Sequence, residues 1–425
     1  MPQQACHPAR DQKAGVVAVQ LVRLNRDGTA PSPGRQNETP NWESWVMLTH
    51  RTFLLSCVLA AFAPTLAVQS AYAELSIIHP QQILPTPPDP DPSESFFRYG
   101  ALAVTDGKTI LVSVEIGRTA YAYSKSSQGR WVYESTLTVP APEDTASTGI
   151  AVRGNTALVQ GSTPTGRAAF VFQRRKGVWT YAQTLSNASG SLFRRSPLAL
   201  GHDFAAVGSY ETDDLAGAVF IYDKIGAGRY VFGTKLAPAT ATRLDFTGAT
   251  VVVDHNRLLT WSGRAISSFV RDGGVWLEEA SLRLPSGGVL SPDFGFSGNR
   301  AVVSGFIGGG EPASVFIRDH DGIWSVEQTL TNPVDPQTDL GPKAAMDGRR
   351  LLITDTSRGA VYVFERHKAI WVATAELALP TSCEPLPTVA LSGRLAVVAC
   401  QDLDTGDPLW QGRVLIYELS VLREA

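Results

Sequence analysis

Thiols, long runs of one charge and enzyme signatures are all scarce in this sequence. Its 425 residues hold four cysteines, of which Cys6 and Cys57 fall in the N-terminal stretch, so only Cys383 and Cys400 are left to pair. Thirty-seven basic residues against 40 acidic ones give a net charge of −3, with no long Lys/Arg run. No global field would therefore recruit nucleic acid or an anionic membrane surface. There is no G-x-S-x-G element; the nearest run, Gly295-Phe296-Ser297-Gly298-Asn299, fails at its last position. A His-Glu-x-x-His pair and a phosphate loop are also missing. His79, His202, His255, His320 and His367 are scattered without a common spacing, as expected of surface or turn residues rather than ligands. Charged runs of the kind that favour helix are few, whereas Gly (38) and Pro (27) are frequent, a composition suited to many short strands and turns.

The N-terminal part divides in two. Residues 1–46 are polar, rich in Pro, Gly and Gln, without apolar periodicity, and read as a non-native or disordered leader. Met47 then opens a segment with Arg51 as a positive start, an apolar stretch from Phe53 to Val68, and Ala71-Tyr72-Ala73 as a small-residue cleavage site. Residues 47–73 are thus expected to be a signal peptide cleaved after Ala73. The product would be secreted or periplasmic, with no membrane insertion, and Cys383 and Cys400 would sit where a disulfide can persist. Lipidation at Cys57 is not expected, because the apolar run continues past it.

The remainder repeats. "GRWVYESTL" at Gly129, "GVWTYAQTL" at Gly177, "GVWLEEASL" at Gly274 and "GIWSVEQTL" at Gly322 are near-copies; weaker versions begin at Gly228 and Ala369. The aromatic of each falls at Trp131, Trp179, Tyr230, Trp276, Trp324 and Trp371, at intervals of 48, 51, 46, 48 and 47 residues. A fixed period of that size marks a solenoid or propeller. One unit, Gly149 to Leu185, reads as four antiparallel strands; in the fourth, Trp179, Tyr181 and Gln183 are expected on one face and Thr180, Ala182 and Thr184 on the other. Such a blade has two open faces that only radial stacking covers. The third-strand motif occurs seven times, from Thr119 to Gly412, and the fourth-strand motif only six. The missing strand is expected at the other end: aligning "HPQQILPTP" with "SVEQTLTNP" puts Gln82 on Gln328 and Leu84 on Leu330. The fold class expected is therefore all-β, a seven-bladed β-propeller of four-stranded antiparallel blades, the last blade closed by the N-terminal strand. It fills residues 74–425, with 74–84 as closing strand, 85–98 as a Pro-rich linker and 99–425 as blades.

Asp293-Phe294-Gly295-Phe296-Ser297-Gly298-Asn299-Arg300-Ala301-Val302-Val303-Ser304-Gly305 resembles the opening of an FG-GAP repeat, the unit of integrin-alpha-type propellers. "AGAVFIYDK" at Ala216 and "RGAVYVFER" at Arg358 resemble the third strand of that repeat. The likeness spans about residues 74–425. Two departures stand out: the "GAP" element is degraded to "VQGS", "VGSY" and "VSGF", and the family's calcium loop is missing from most blades.

No cofactor is expected. The best calcium candidate, Asp402-Leu403-Asp404-Thr405-Gly406-Asp407, alternates carboxylates but has no bidentate Glu at loop position twelve, and reads first as a solvated acidic turn. Glu211-Thr212-Asp213-Asp214 is weaker. Asp319-His320-Asp321-Gly322 reads as a hairpin turn. The fourth-strand aromatics are expected to wedge between blades, each burial being worth about 3 kcal/mol. Trp261 and Trp410 fall outside that slot and are the candidate binding residues, expected in loops between second and third strands. Cys383 and Cys400 lie at two places that a four-stranded meander puts on one face of the disc, and are expected to bond. The function expected is non-catalytic binding of a protein or glycan by a monomer, on the face carrying loops 161–166, 209–216, 254–263, 304–312 and 401–411. The alternatives are an exported glycoside hydrolase or lyase, for which Asp213 and Asp404 are conceivable carboxylates, and a purely structural surface repeat protein.

Overall fold

Fourth strands that carry an aromatic near their start and run toward a leucine give this chain its order. The computed structural model describes residues 75–85, 87, 99–114, 118–140, 149–163, 166–186, 197–263, 265–283, 293–304, 312–383, 387–401 and 412–420. The leader and signal segment expected at 1–73 lie outside them.

Seven antiparallel four-stranded sheets form a ring. Blade 1 runs Tyr99–Thr105, Thr109–Val114, Thr119–Lys125 and Trp131–Thr138. Blade 5, typical of the rest, runs Phe294–Ser297, Arg300–Val303, Ser314–Arg318 and Trp324–Thr329. The first strand of each blade packs against the first strand of the next, and that of blade 7 (Thr388–Ser392) against that of blade 1, so the first strands surround the axis. The buried apolar side chains fall into seven clusters, each shared by two neighbouring blades. The core therefore lies between sheets, which is why one blade cannot stand alone.

Every complete fourth strand slips register near its middle. In blade 2 Tyr181 pairs with Phe172 but Gln183 pairs with Val171, leaving Ala182 as the extra residue of a β-bulge. The same shift leaves out Glu134, Gly233, Glu327 and Thr374 in blades 1, 3, 5 and 6. This corrects the simple alternation expected for Trp179, Tyr181 and Gln183. The bulge reverses the facing, so the aromatic packs on the preceding blade and the residue four positions later addresses the following one. Trp179 lies in the cluster shared by blades 1 and 2, whereas Gln183 bonds blade 3.

That glutamine is an inter-blade hook. Gln183 Nε2 donates to the Tyr230 carbonyl (2.7 Å) and its Oε1 accepts from the Tyr230 amide (2.8 Å). Gln328 grips Trp371 in the same way, at 2.8 Å twice. Gln82 grips Trp131, at 2.5 and 2.9 Å. Gln82–Ile83 is antiparallel to Leu415–Ile416 of the blade 7 third strand, so the N-terminal segment supplies the missing fourth strand. A second repeated contact agrees. The third-strand hydroxyls of Tyr222 and Tyr417 donate to the carbonyls of Ser186 and Ala378, each just past the last leucine of the preceding blade. Tyr123 of blade 1 donates likewise to Pro85, just past Leu84. The sequence comparison did not anticipate one element: Ser76–Ile78 runs parallel to Ala375–Leu377 of blade 6, so the same segment also adds a fifth strand to that blade.

Candidate functional site

Turn lengths separate the two faces of the disc. Connections from first to second strand take two or three residues in every blade, and those from third to fourth take two to five. On the opposite face, connections from second to third strand range from two residues (264 and its neighbour 263) to ten (304–313 and 402–411), and those between blades from ten to fourteen. All large variation in loop length therefore lies on the face expected to carry binding.

Two parts of that loop face are described. Between blades 5 and 6, residues 330–343 fold around Asp355, which is fully buried at the end of its strand. Its Oδ2 accepts from Asn332 Nδ2 (2.7 Å), and its Oδ1 from the Ser357 amide (2.9 Å) and hydroxyl (2.6 Å). Asn332 in turn donates to Thr338 Oγ1 at 2.8 Å. The carboxylate is thus used up in shaping the loop. Between blades 3 and 4, residues 210–217 meet 237–250. Gly217 (φ 77°) lies so close to Thr247 that an added Cβ would stand 2.2 Å from its carbonyl oxygen. Asp213, Asp214 and Leu215 take the left-handed conformation, and so do Leu244 and Phe246 opposite. Two exposed ion pairs bind this region, Lys235–Asp213 at 2.7 Å and Arg243–Asp214 at 2.9 Å.

The expected residues fared unequally. Trp261 is not in a loop. It belongs to the second strand of blade 4, Arg257–Ser262, is 2% exposed, and packs with Leu259, Phe294 and Phe316 between blades 4 and 5. The interval 254–263 is therefore mostly strand, and the expectation of an exposed contact at Trp261 is corrected: the residue continues the alternation that faces Leu259 into the core. Trp410 and Asp402–Asp407, including Asp404, lie outside the described residues. Among the described residues no group of three or more His, Cys, Asp or Glu could hold a metal. Asp213 is exposed and paired with Lys235 rather than facing a second carboxylate. Cys383 and Cys400 are bonded, with Cα atoms 5.3 Å apart, bracing the inter-blade connection against the second strand of blade 7. The fourth-strand aromatics are wedges, with Trp131, Trp179, Tyr230, Trp324 and Trp371 all buried. Asp319 caps its hairpin turn, its Oδ1 accepting from the amides of Asp321 (3.0 Å) and Ile323 (2.8 Å).

The residues three positions after the aromatic in blades 1, 4 and 5 add a belt of ion pairs. Glu134, Glu279 and Glu327 reach Arg174, Arg318 and Arg366 in the third strand of the following blade, at 2.7, 2.5 and 2.9 Å. Glu327 is also held by Arg300 (2.8 Å) and the Trp371 indole N–H (3.0 Å). Burial alone would raise its pKa, but the bonds from Arg300, Trp371 and Arg366 outweigh that and hold it below the usual glutamate value.

On the tight-turn face the sequence reading missed a feature. A cleft of about 700 Å3 opens between blades 2 and 3, with Arg153, Asn155, Thr156, Gln173, Lys224 and Tyr230 among its walls. Its floor holds Tyr230, the one fourth-strand aromatic that is not tryptophan. Burial raises the Tyr230 phenol pKa, offset in part by a bond with Thr156. That single departure from the repeat was the available signal.

No family model matches the chain, and no curated protein matches it. Solved structures do. A chain of Kuenenia stuttgartiensis hydrazine synthase is similar over 80% of this chain and 100% of its own, with 13% identity and a TM-score of 0.52. A chain of the mitotic checkpoint complex is similar over 80% and 92%, with 12% identity and a TM-score of 0.50. The β-propeller domain of the trilobed protease from Pyrococcus furiosus covers 76% and 95%, with 9% identity and a TM-score of 0.45. At such identities the likeness concerns the fold alone, and the chain is a seven-bladed β-propeller.

Proposed function

We propose that this propeller is an exported, non-catalytic binding module that recognises a protein or glycan partner through its loop face. The observation that supports this reading is the confinement of loop-length variation to one face, while the turns of the other stay short in every blade. A scaffold whose blades are locked by repeated hooks can vary its loops without losing its ring. Export is supported by the Cys383–Cys400 bond. Among the described residues no helix is long and apolar enough to cross a membrane. Kinship with FG-GAP propellers is part of the same proposal. It is supported by Phe294-Gly295: Phe294 is buried, and a Cβ on Gly295 would stand 2.6 Å from the Met346 amide nitrogen of blade 6.

The test is a glycan array and a pull-down from cell-envelope fractions with the purified chain, with and without calcium. A retained partner that is lost on Trp410→Ala or on replacing residues 209–216 is the expected result. Cleavage of a carbohydrate polymer that disappears in Asp213→Asn or Asp404→Asn would refute the non-catalytic reading. Retention of no partner at all would leave a purely structural repeat protein.

A further inference from the structure

We propose that the cleft between blades 2 and 3 is a second binding site, for an anionic sugar, on the face opposite the variable loops. Three independent features of the site carry this. The first is charge. Arg153 and Lys224 stand on its two walls, contributed by different blades. Arg175, Lys176 and Arg229, also exposed, belong to the two adjoining hairpins. None of these five cations forms an ion pair with a described residue. One carboxylate, Asp203, lines the cleft itself; it and Asp223 are each paired with Arg271 of blade 4, at 3.1 and 2.8 Å, and Asp106 beside the rim accepts from the Gly154 amide at 2.6 Å. A chain of net charge −3 thus concentrates positive charge at one inter-blade opening.

The second feature is a released amide. In blades 4 and 5 the turn asparagines Asn256 and Asn299 donate to the carbonyls of Arg271 and Arg318, at 2.9 and 3.3 Å. Asn155 occupies the same turn position in blade 2, but its side chain bonds no described residue. Gln173 has taken its place in tying the turn, donating from Nε2 to the Asn155 carbonyl at 2.5 Å. The Asn155 amide is left facing the cleft with donors and an acceptor to offer.

The third feature is shape. Tyr230 stands where the other five fourth strands carry tryptophan, and the smaller ring accompanies a cleft large enough for one or two sugar units. A wall of amide and hydroxyl groups (Asn155, Thr156, Gln173) flanked by two cations matches a ligand that is polyhydroxylated and negatively charged. Carboxylate and phosphate share that chemistry, so both sources belong in the test.

The experiment is calorimetric titration of the full chain with a glucuronate-containing disaccharide, glucose 6-phosphate, the neutral parent disaccharide and inorganic phosphate, at low and moderate salt. The expected result is that an anionic sugar binds more tightly than its neutral counterpart and than inorganic phosphate, and weakens with salt. Whether uronate or sugar phosphate binds better identifies the natural source. Arg153→Gln and Lys224→Gln should each weaken binding by about tenfold or more. Lys108→Gln, an exposed cation on a blade 1 turn of the same face, should leave it unchanged. Tyr230→Trp restores the repeat residue and should block the cleft while keeping the fold, as checked by circular dichroism. Equal binding of neutral and anionic sugars, equal binding of bare phosphate, no binding at all, or no effect of Arg153→Gln and Lys224→Gln would overturn the proposal.

Discussion

Replacing Gln82 by alanine isolates the closure of the ring. Its side chain makes two hydrogen bonds to the backbone of Trp131, one to the carbonyl at 2.5 Å and one from the amide at 2.9 Å. Trp131 is 3% exposed, so water cannot readily replace the lost partner. Each bond is worth about 1 kcal/mol net, and leaving two buried backbone groups unmatched adds to that, so Gln82→Ala should cost about 2–4 kcal/mol. The same substitution at Gln183 or Gln328 breaks the same pair of bonds inside the ring and serves as an internal standard. Urea unfolding followed by tryptophan fluorescence gives the three losses, and hydrogen exchange of the Trp131 amide gives a local reading. The three variants should be destabilised alike, and Gln82→Ala should accelerate Trp131 exchange. If Gln183→Ala and Gln328→Ala weaken the protein while Gln82→Ala changes neither stability nor Trp131 exchange, the N-terminal strand does not close blade 7 in solution.

Two further outcomes are expected. Cys383→Ser should lower stability by about 3 kcal/mol, the chain-entropy value for a bridge spanning 17 residues; a reducing agent should lower the melting temperature of the parent and leave the variant's unchanged. Glu327→Gln should cost about 3 kcal/mol at neutral pH, since it strips the partner from Arg300 and Arg366. Because the folded-state pKa of Glu327 is depressed, its contribution is complete above the ordinary value of 4.5 and is lost as pH falls through the lower folded value. The gap between parent and variant in urea melts should therefore stay constant above about pH 5 and narrow as pH falls below 4.5.

What could be read from sequence was whatever recurs with the period. The aromatic slot, the seven third strands and the match of Gln82 and Leu84 to Gln328 and Leu330 all depend on residue type at a fixed spacing, and each led to the right blade. The fourth-strand facing was lost because a bulge inserts one residue without changing residue type; Ala182 and Gly233 look like ordinary strand positions. Trp261 was misplaced for a related reason. Blade 4 has only two residues between its second and third strands, so strand continues where a loop of typical length would stand. Among the described residues the parallel strand Ser76–Ile78 has no counterpart in other blades, so there was no repeat to compare. The cleft between blades 2 and 3 arises from a departure from the repeat at Tyr230, which counting matches tends to smooth over.

The strap formed by Ser76–Ile78 and Gln82–Ile83 has a consequence for biogenesis. Ile83 leaves the ribosome about 330 residues before Leu415, its partner across the sheet. At typical elongation rates that interval is tens of seconds. During it, five inter-blade interfaces can form in order, and blade 1 can already hold Gln82 through Trp131, yet Gln82–Ile83 lacks its sheet partner and must stay free of competing pairings. His79-Pro80 and Pro85 bracket it, and proline withholds the amide that a wrong neighbour would need. Assembly can thus proceed blade by blade, but its last cooperative step joins two strands made some 330 residues apart.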